Sequence, residues 1–292
     1  MGSHPALGTI GIWTAALRST DPARQAEVRE AAAELDELGY GAIWLGGSPA
    51  PDEAGLLLDA TSRIGVATGI LSIWDHEAAY VAERFAAIDA VHDGRFVLGL
   101  GVSHSKIVDR YARPYTAMRE YLTALDSAPV PVPASRRVLA ALGPKMLRLA
   151  GDRAAGAHPY LVTPEFTASA REILGAEAVL APELKVVLDT DLDRASATAR
   201  DYLSFYLALP NYTNNLLRLG FEEKDFANGG SDRLISSVFA LGDEEAIRRG
   251  VDAFLAAGAD HVAVQVVTAD PLRALPRAEW RALAQALPLH GS

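Results

Sequence analysis

Eight short, nearly continuous apolar runs constrain this chain more than anything else in it: 9–13 (TIGIW), 42–45 (AIWL), 64–70 (IGVATGI), 95–100 (RFVLGL), 138–142 (VLAAL), 157–162 (AHPYLV), 184–188 (LKVVL) and 261–267 (HVAVQVV). A strand that is apolar along its length, rather than at alternate positions, is covered on both faces, as in a parallel sheet with helices packed against it. Helical text separates the runs. Segment 21–38 opens on Asp21-Pro22, a cap followed by proline in the first turn, and stops at Gly39. Segment 77–91 is alanine-rich and ends at Asp93-Gly94, and 243–257 starts on Asp243, Glu244 and Glu245 and stops at Gly258. Two of these helices pass through glycine straight into a strand, at 38–42 (LGYGA) and 257–261 (AGADH). This repeated unit marks strand crossovers, and eight of them predict an α/β fold, a closed (β/α)₈ TIM barrel, over an open doubly wound sheet. Between strands seven and eight, residues 191–241 break the rhythm with two or three helices and the loop Asn228-Gly229-Gly230-Ser231. An insertion of that length serves as a lid or binding wall.

Of the 292 residues half are hydrophobic and 22% charged, enough to bury one large core, and 1–292 is read as a single domain with 1–4 set aside as an expression scar. The formal charge of −10 argues against nucleic acid, and the absence of cysteine removes disulfides, thiol nucleophiles and thiolate metal sites. No stretch approaches the ~20 apolar residues of a membrane span, and the first residues lack the pattern of a secretory signal. A soluble cytoplasmic protein is expected.

Barrel active sites lie at the carboxyl ends of the strands. Those ends carry Trp13-Thr14, Gly46-Gly47-Ser48, Gly69-Ile70 followed by 71–76 (LSIWDH), Gly101-Val102-Ser103-His104, Leu142-Gly143-Pro144-Lys145, Thr163, Asp189-Thr190-Asp191 and Thr268. Only the seventh supplies carboxylates, so no hard-metal site is expected, and no zinc spacing of histidines occurs. The four lysines, Lys106, Lys145, Lys185 and Lys224, are not at strand ends, which argues against Schiff-base chemistry. A small, neutral, aromatic rim suits an organic cofactor that carries the reaction itself. Gly99-Leu100-Gly101 has His104 where a dinucleotide fingerprint needs its third glycine, and 101–105 (GVSHS) is no serine-nucleophile elbow. Gly143-Pro144-Lys145 opens a helix whose free N–H groups and lysine can hold an anion, or is an ordinary helix start. Among the histidines, His261 reads as structural and His290 as an uninformative tail residue. His158 lies in strand six, facing either the helix layer or the interior. His104 and His76 sit in top-face loops where imidazole can move a proton.

Several phrases together resemble the bacterial luciferase-like monooxygenase superfamily, and within it the actinobacterial oxidoreductases that use the deazaflavin coenzyme F420. They are 38–48 (LGYGAIWLGGS), 67–76 (ATGILSIWDH), 94–104 (GRFVLGLGVSH), 139–147 (LAALGPKML), 156–164 (GAHPYLVTP) and 209–215 (LPNYTNN). The resemblance implies a non-proline cis peptide at Gly69-Ile70 backing the cofactor ring, with Thr68 beside it. It also implies contacts from Ser103 and His104 to ring and substrate, and a tail and phosphate site at Ala141, Leu142 and Gly143, which fits the anion site read above at Lys145. The sugar-phosphate dehydrogenases of that group carry Asp-His after strand two and glutamate after strand four. Gly47-Ser48 and His104 stand there instead, so sugar-phosphate oxidation does not follow.

The expected activity is therefore F420-dependent hydride transfer to or from a small organic substrate. His104 and Ser48 are the candidate catalytic residues, and Trp13, Trp74, His76, His158 and Tyr212 the candidate substrate contacts. One rival reading keeps the fold and uses FMN with oxygen; another is a non-catalytic flavin- or deazaflavin-binding protein. Relatives of this kind pair through barrel helices, so a homodimer is expected.

Overall fold

The computed structural model describes residues 7–109, 111–270 and 273–289; the expected scar at 1–4 and His290 lie outside them. The strands are β1 (Ile10–Thr14), β2 (Ala42–Leu45), β3 (Gly65–Thr68), β4 (Leu71–Ser72), β5 (Phe96–Gly101), β6 (Arg137–Leu139), β7 (Gly156–Ala157), β8 (Val179–Leu180), β9 (Glu183–Leu188), β10 (Phe239–Gly242) and β11 (Val262–Val266). All pairings are parallel, and β11, β1, β2, β3, β5, β6, β7 and β8 follow one another around the sheet. The ring closes through segment 179–188. On one side the N–H groups of Val179, Ala181 and Glu183 donate to the carbonyls of Ala155, Ala157 and Pro159. On the other, Asp260 N–H donates to Leu180 O and Ala263 N–H to Pro182 O. β8 and β9 are thus one stave bent at Ala181-Pro182, and β3 and β4 form another. The result is the expected eight-staved α/β barrel.

The helices around it are α1 (Pro22–Leu38), α2 (Pro51–Leu58), α3 (Ala78–His92), α4 (Pro114–Asp126), α5 (Pro144–Arg153), α6 (Pro164–Leu174), α7 (Leu192–Leu207), α8 (Pro210–Arg218), α9 (Asp232–Val238), α10 (Glu244–Ala256) and α11 (Arg277–Ala286). Six of them carry proline in the first turn, where no intrahelical bond is lost. Asp21, Thr163, Asp191, Ser231 and Asp243 cap helices by accepting from first-turn N–H groups.

Two strand expectations need correction. The sixth run, expected over 157–162, is strand only at β7, because Pro159 cannot donate to a ladder and Leu161 turns to φ 55°. The insertion after β9 holds α7, α8 and α9 as expected, but its end is strand β10, which pairs with the edge of β9 beyond β7. That strand was hidden because α9 runs straight into Phe239 with no glycine or proline to punctuate it.

Leu35, Leu57, Phe85, Phe96 and Trp280 belong to the main core between staves and helices. A second cluster inside the ring is built from Trp13, Trp44 and small residues such as Ala42, Ala67 and Ala263. A third joins the insertion to the barrel through Leu203, Leu216, Leu234 and Phe239. At the amino-terminal end of the ring, Trp44 Nε1 donates to His261 Nε2 at 2.9 Å and His261 Nδ1 bonds Gly8 O at 2.8 Å. Burial lowers the His261 pKa to about 4. Neutral and doubly bonded, His261 plugs the barrel, as its position before the last strand implied. No helix among the described residues is long and apolar enough to cross a membrane.

Candidate functional site

The carboxyl ends of the strands open on a cavity of about 590 Å³, within the ~300–1,000 Å³ usual for small-molecule sites. Trp13, Ser48, Gly69, Ile70, Ser103, His104, Ala141, Leu142, Gly143, His158 and Tyr212, all anticipated, lie on its wall. They come from six staves and from α8, so only closure of the ring brings them together.

The floor on one side is the turn between β3 and β4. The Gly69–Ile70 peptide is cis, as the resemblance implied. Trp13 Nε1 donates to Gly69 O at 2.9 Å, which fixes the indole against this turn. Glycines make the packing feasible: a Cβ on Gly101 would stand 2.4 Å from Ile70 Cδ1, and one on Gly46 2.4 Å from the Trp13 ring. Ser48 and Ser103 both hold positive φ, 56° and 54°. The Ser48 hydroxyl donates to Asp75 and accepts from Ser72 N–H, so its proton is already committed. Ser103 O accepts from Asn211 Nδ2 of α8 at 3.3 Å, which ties the β5 turn to the insertion. The His104 ring lies 4.9 Å from that of Tyr212. Its Nδ1 is buried without a partner, and burial pushes its pKa below 6.5.

Four anticipated residues stand off this wall. Thr68 is fully buried, its hydroxyl spent on the backbone N–H and carbonyl of Gly99. Lys145 is exposed on α5. Trp74 donates to Val102 O at 2.6 Å and packs beside Tyr111, and with His76 it lines a separate hollow of about 220 Å³. Beside Leu142 and Gly143 the cation on the cavity wall is Arg218 of α8, and not Lys145. Arg218 bonds Leu142 O and Asn215 Oδ1 and has no carboxylate partner among the described residues.

A polar cluster that packs against Tyr212, on the side of Tyr160 and Tyr206, has no counterpart in the sequence reading. The hydroxyls of Tyr160, Tyr202 and Tyr206 lie 2.9 Å from one another, Tyr160 also reaches Gln265 Oε1 at 2.9 Å, and Gln265 Nε2 donates to Tyr202 at 2.6 Å. Burial holds all three phenols neutral, with Tyr202 raised to about 12. Behind them Lys185 Nζ sits 2.6 Å from Glu183 Oε2 and 3.7 Å from the centre of the Tyr160 ring. Burial drives Glu183 up and Lys185 down, and their mutual attraction opposes both shifts. Lys185 therefore does point inward, although from mid-strand and paired. The signals in the sequence are Glu183 and Lys185, two apart in an apolar strand, and Tyr202 and Tyr206, four apart on a helix; neither pair stands at the carboxyl end of a strand. Among the described residues no cluster of three or more histidines or carboxylates could hold a metal.

Comparison with known proteins agrees with this architecture. The chain matches the family model "Luciferase-like monooxygenase" over residues 9–261. No curated protein sequence matches it. Solved structures with the same fold include an F420-dependent secondary alcohol dehydrogenase in complex with an F420-acetone adduct, at 15% identity and TM-score 0.73, covering 98% of this chain and 99% of that one. The coenzyme F420-dependent tetrahydromethanopterin reductase from Methanopyrus kandleri superposes at 17% identity and TM-score 0.76, covering 97% and 99%. The oxygenating constituent of 3,6-diketocamphane monooxygenase from Pseudomonas putida, in complex with FMN, does so at 13% identity and TM-score 0.66, covering 97% and 96%. The match runs from β1 to the residue before β11 and takes in every cavity-wall residue described above except Gln265, so the chain belongs to the luciferase-like monooxygenase family.

Proposed function

We propose that the protein is an oxidoreductase that uses coenzyme F420 to move a hydride to or from a small organic substrate. The observation that carries this reading is the composition of the wall. Among the described residues no carboxylate and no lysine lines the cavity, and its ionisable groups are His104, His158, Arg218 and buried phenols. Such a wall can bind, orient and move a proton, but it has no electrons to give. When bound, the deazaflavin would supply the hydride or take it up.

The residues fit that group. Trp13, Gly69 and Ile70 offer a flat backing for a ring system. Gly143, the first turn of α5 and Arg218 offer N–H groups and one positive charge to an anionic tail. His104 handles the proton: burial keeps its imidazole neutral at pH 7, and its unpartnered Nδ1 is the atom at which a proton is held or taken. Fold neighbours that bind F420 support the deazaflavin; the FMN-bound neighbour shows that the same fold also accepts a flavin.

The test is an anaerobic titration with oxidised F420 and, separately, FMN, followed by tryptophan quenching, since Trp13 stands in the wall. Saturable quenching by F420 is expected, weakened about tenfold in Arg218→Ala by loss of a charge-assisted contact. Preference for FMN would replace this reading with the oxygen-using one, and binding of neither would overturn both.

A further inference from the structure

The part of the cavity wall made by His158 and the tyrosine cluster, its floor, carries more hydrogen-bond acceptors than it has protons to fill. His158 is 1% exposed and its ring stacks on Trp44 at 4.0 Å, 13° from parallel. Its Nδ1 lies 2.7 Å from Ala181 O. A carbonyl only accepts, so Nδ1 bears the proton and Nε2 is a bare lone pair. That Nε2 is buried, has no partner, and belongs to a residue on the cavity wall. It cannot resolve its isolation by ionising, because burial, with Lys185 and His261 nearby, lowers the His158 pKa to about 3. Leaving such an acceptor unmet is costly, so a partner for it is expected.

Two residues along the chain, the tyrosine cluster repeats the imbalance. Tyr160, Tyr202, Tyr206 and Gln265 Oε1 make four oxygen–oxygen contacts, yet the three phenols bring three protons. One contact therefore sets lone pair against lone pair. Gln265 Nε2 spends one of its two protons on Tyr202, and the other has no assigned partner. The floor asks for a donor and has one N–H to give in return.

We propose that this floor is a subsite for a neutral hydroxyl group of the substrate, which donates to His158 Nε2 and accepts from Gln265. The substrate is accordingly an alcohol or a phenol, and not a carboxylate or an amine. A carboxylate would bring lone pairs to a wall already rich in them. An ammonium would sit beside Lys185, and it offers nothing for the amide N–H to bond. The apolar remainder of the molecule lies against Trp13 and Tyr212, which share the wall. This assignment rests on the cavity's being a substrate site, as in the proposed function, but not on which cofactor it holds.

The experiment uses full-length protein labelled with [¹⁵N]histidine, without added cofactor, and two probes of nearly the same shape, phenol and its methyl ether anisole. The His158 Nε2 resonance is identified by its loss in His158→Phe. Phenol is expected to shift that resonance and to bind about tenfold more tightly than anisole, the worth of one buried hydrogen bond. In His158→Phe the preference falls to within about twofold. Equal affinity for the two probes in the wild-type protein overturns the proposal, and needs no variant to fold. A phenol preference that survives in His158→Phe overturns it too, as does an Nε2 resonance that neither probe moves. If saturating F420 moves Nε2 and phenol does not, the donor belongs to the cofactor ring and the substrate assignment is wrong. Failure of F420 to bind leaves the phenol result standing and strikes only the cofactor reading.

Discussion

A single carboxylate shows how much of this barrel depends on individual polar residues. Asp36, near the end of α1, accepts from Ser62 N–H at 2.7 Å, Ser62 Oγ at 3.0 Å, Ile64 N–H at 2.9 Å and Arg63 N–H at 3.3 Å. These bonds hold its pKa below 3.8 against the opposing effect of burial. They also fix the turn that feeds β3, the stave that ends in Gly69-Ile70. Asp36→Ala leaves a buried N–H at Ile64 without a partner, and a loss of about 2–4 kcal/mol is expected from urea unfolding. Asp36→Asn, which keeps one acceptor oxygen, should recover part of that loss.

At the scale of elements, α7 is held to the barrel by its tyrosines as well as by its apolar face. Ala195, Ala199 and Leu203 pack into the insertion core, while Tyr202 and Tyr206 reach Tyr160 beyond β7 and Gln265 on β11. Tyr206→Phe removes one phenolic proton and two contacts without changing shape. It leaves two contacts for the two remaining phenolic protons, so the cost expected is that of one hydrogen bond, about 1 kcal/mol, with the loss concentrated in the insertion. Hydrogen exchange is the right readout: amides of α7 should exchange faster while those of β1 and β2 do not change. Uniform acceleration across both would refute a local clamp. The insertion itself was legible as a break in the helix–strand rhythm. Its use of tyrosine hydroxyls was not, because i,i+4 aromatics on a helix look the same whether they face a core or a cavity.

For the molecule as a whole, the buried imidazoles set the acid limit of stability. His158 and His261 have folded-state pKa values of about 3 and about 4 against 6.5 when unfolded, and His104 is lowered as well. Between these values the unfolded chain binds more protons than the folded one, so stability is full above pH 6.5 and falls as the pH drops toward 4. Each fully shifted histidine contributes a slope of up to about 1.4 kcal/mol per pH unit in that window. Carboxylates held low by partners, such as Asp36 and Glu34, act only further down. Urea midpoints at pH 7.5 and 5.0 should therefore differ clearly, and the difference should shrink in His158→Phe. A midpoint independent of pH over this range would show that these imidazoles are not held neutral.

What the sequence determined by itself was the barrel and the cast of its rim. Continuous apolar runs can be satisfied only when both strand faces are covered, and prolines, caps and glycines mark where each helix starts and stops. Trp13, Gly69, Ile70, Ser103, His104 and Gly143 were therefore legible from their place at strand ends. Tertiary structure decided the rest, because a hydrogen bond between residues far apart in the chain leaves no local mark. Lys145 and Arg218 are both cations near a helix end, and only the approach of α8 to the turn after β6, where Arg218 bonds Leu142 O, brings Arg218 to the cavity. Ring closure likewise sets Lys185 and Glu183 inward behind Tyr160, turns Trp74 away to Val102, and leaves His158 Nε2 as a bare acceptor on the floor.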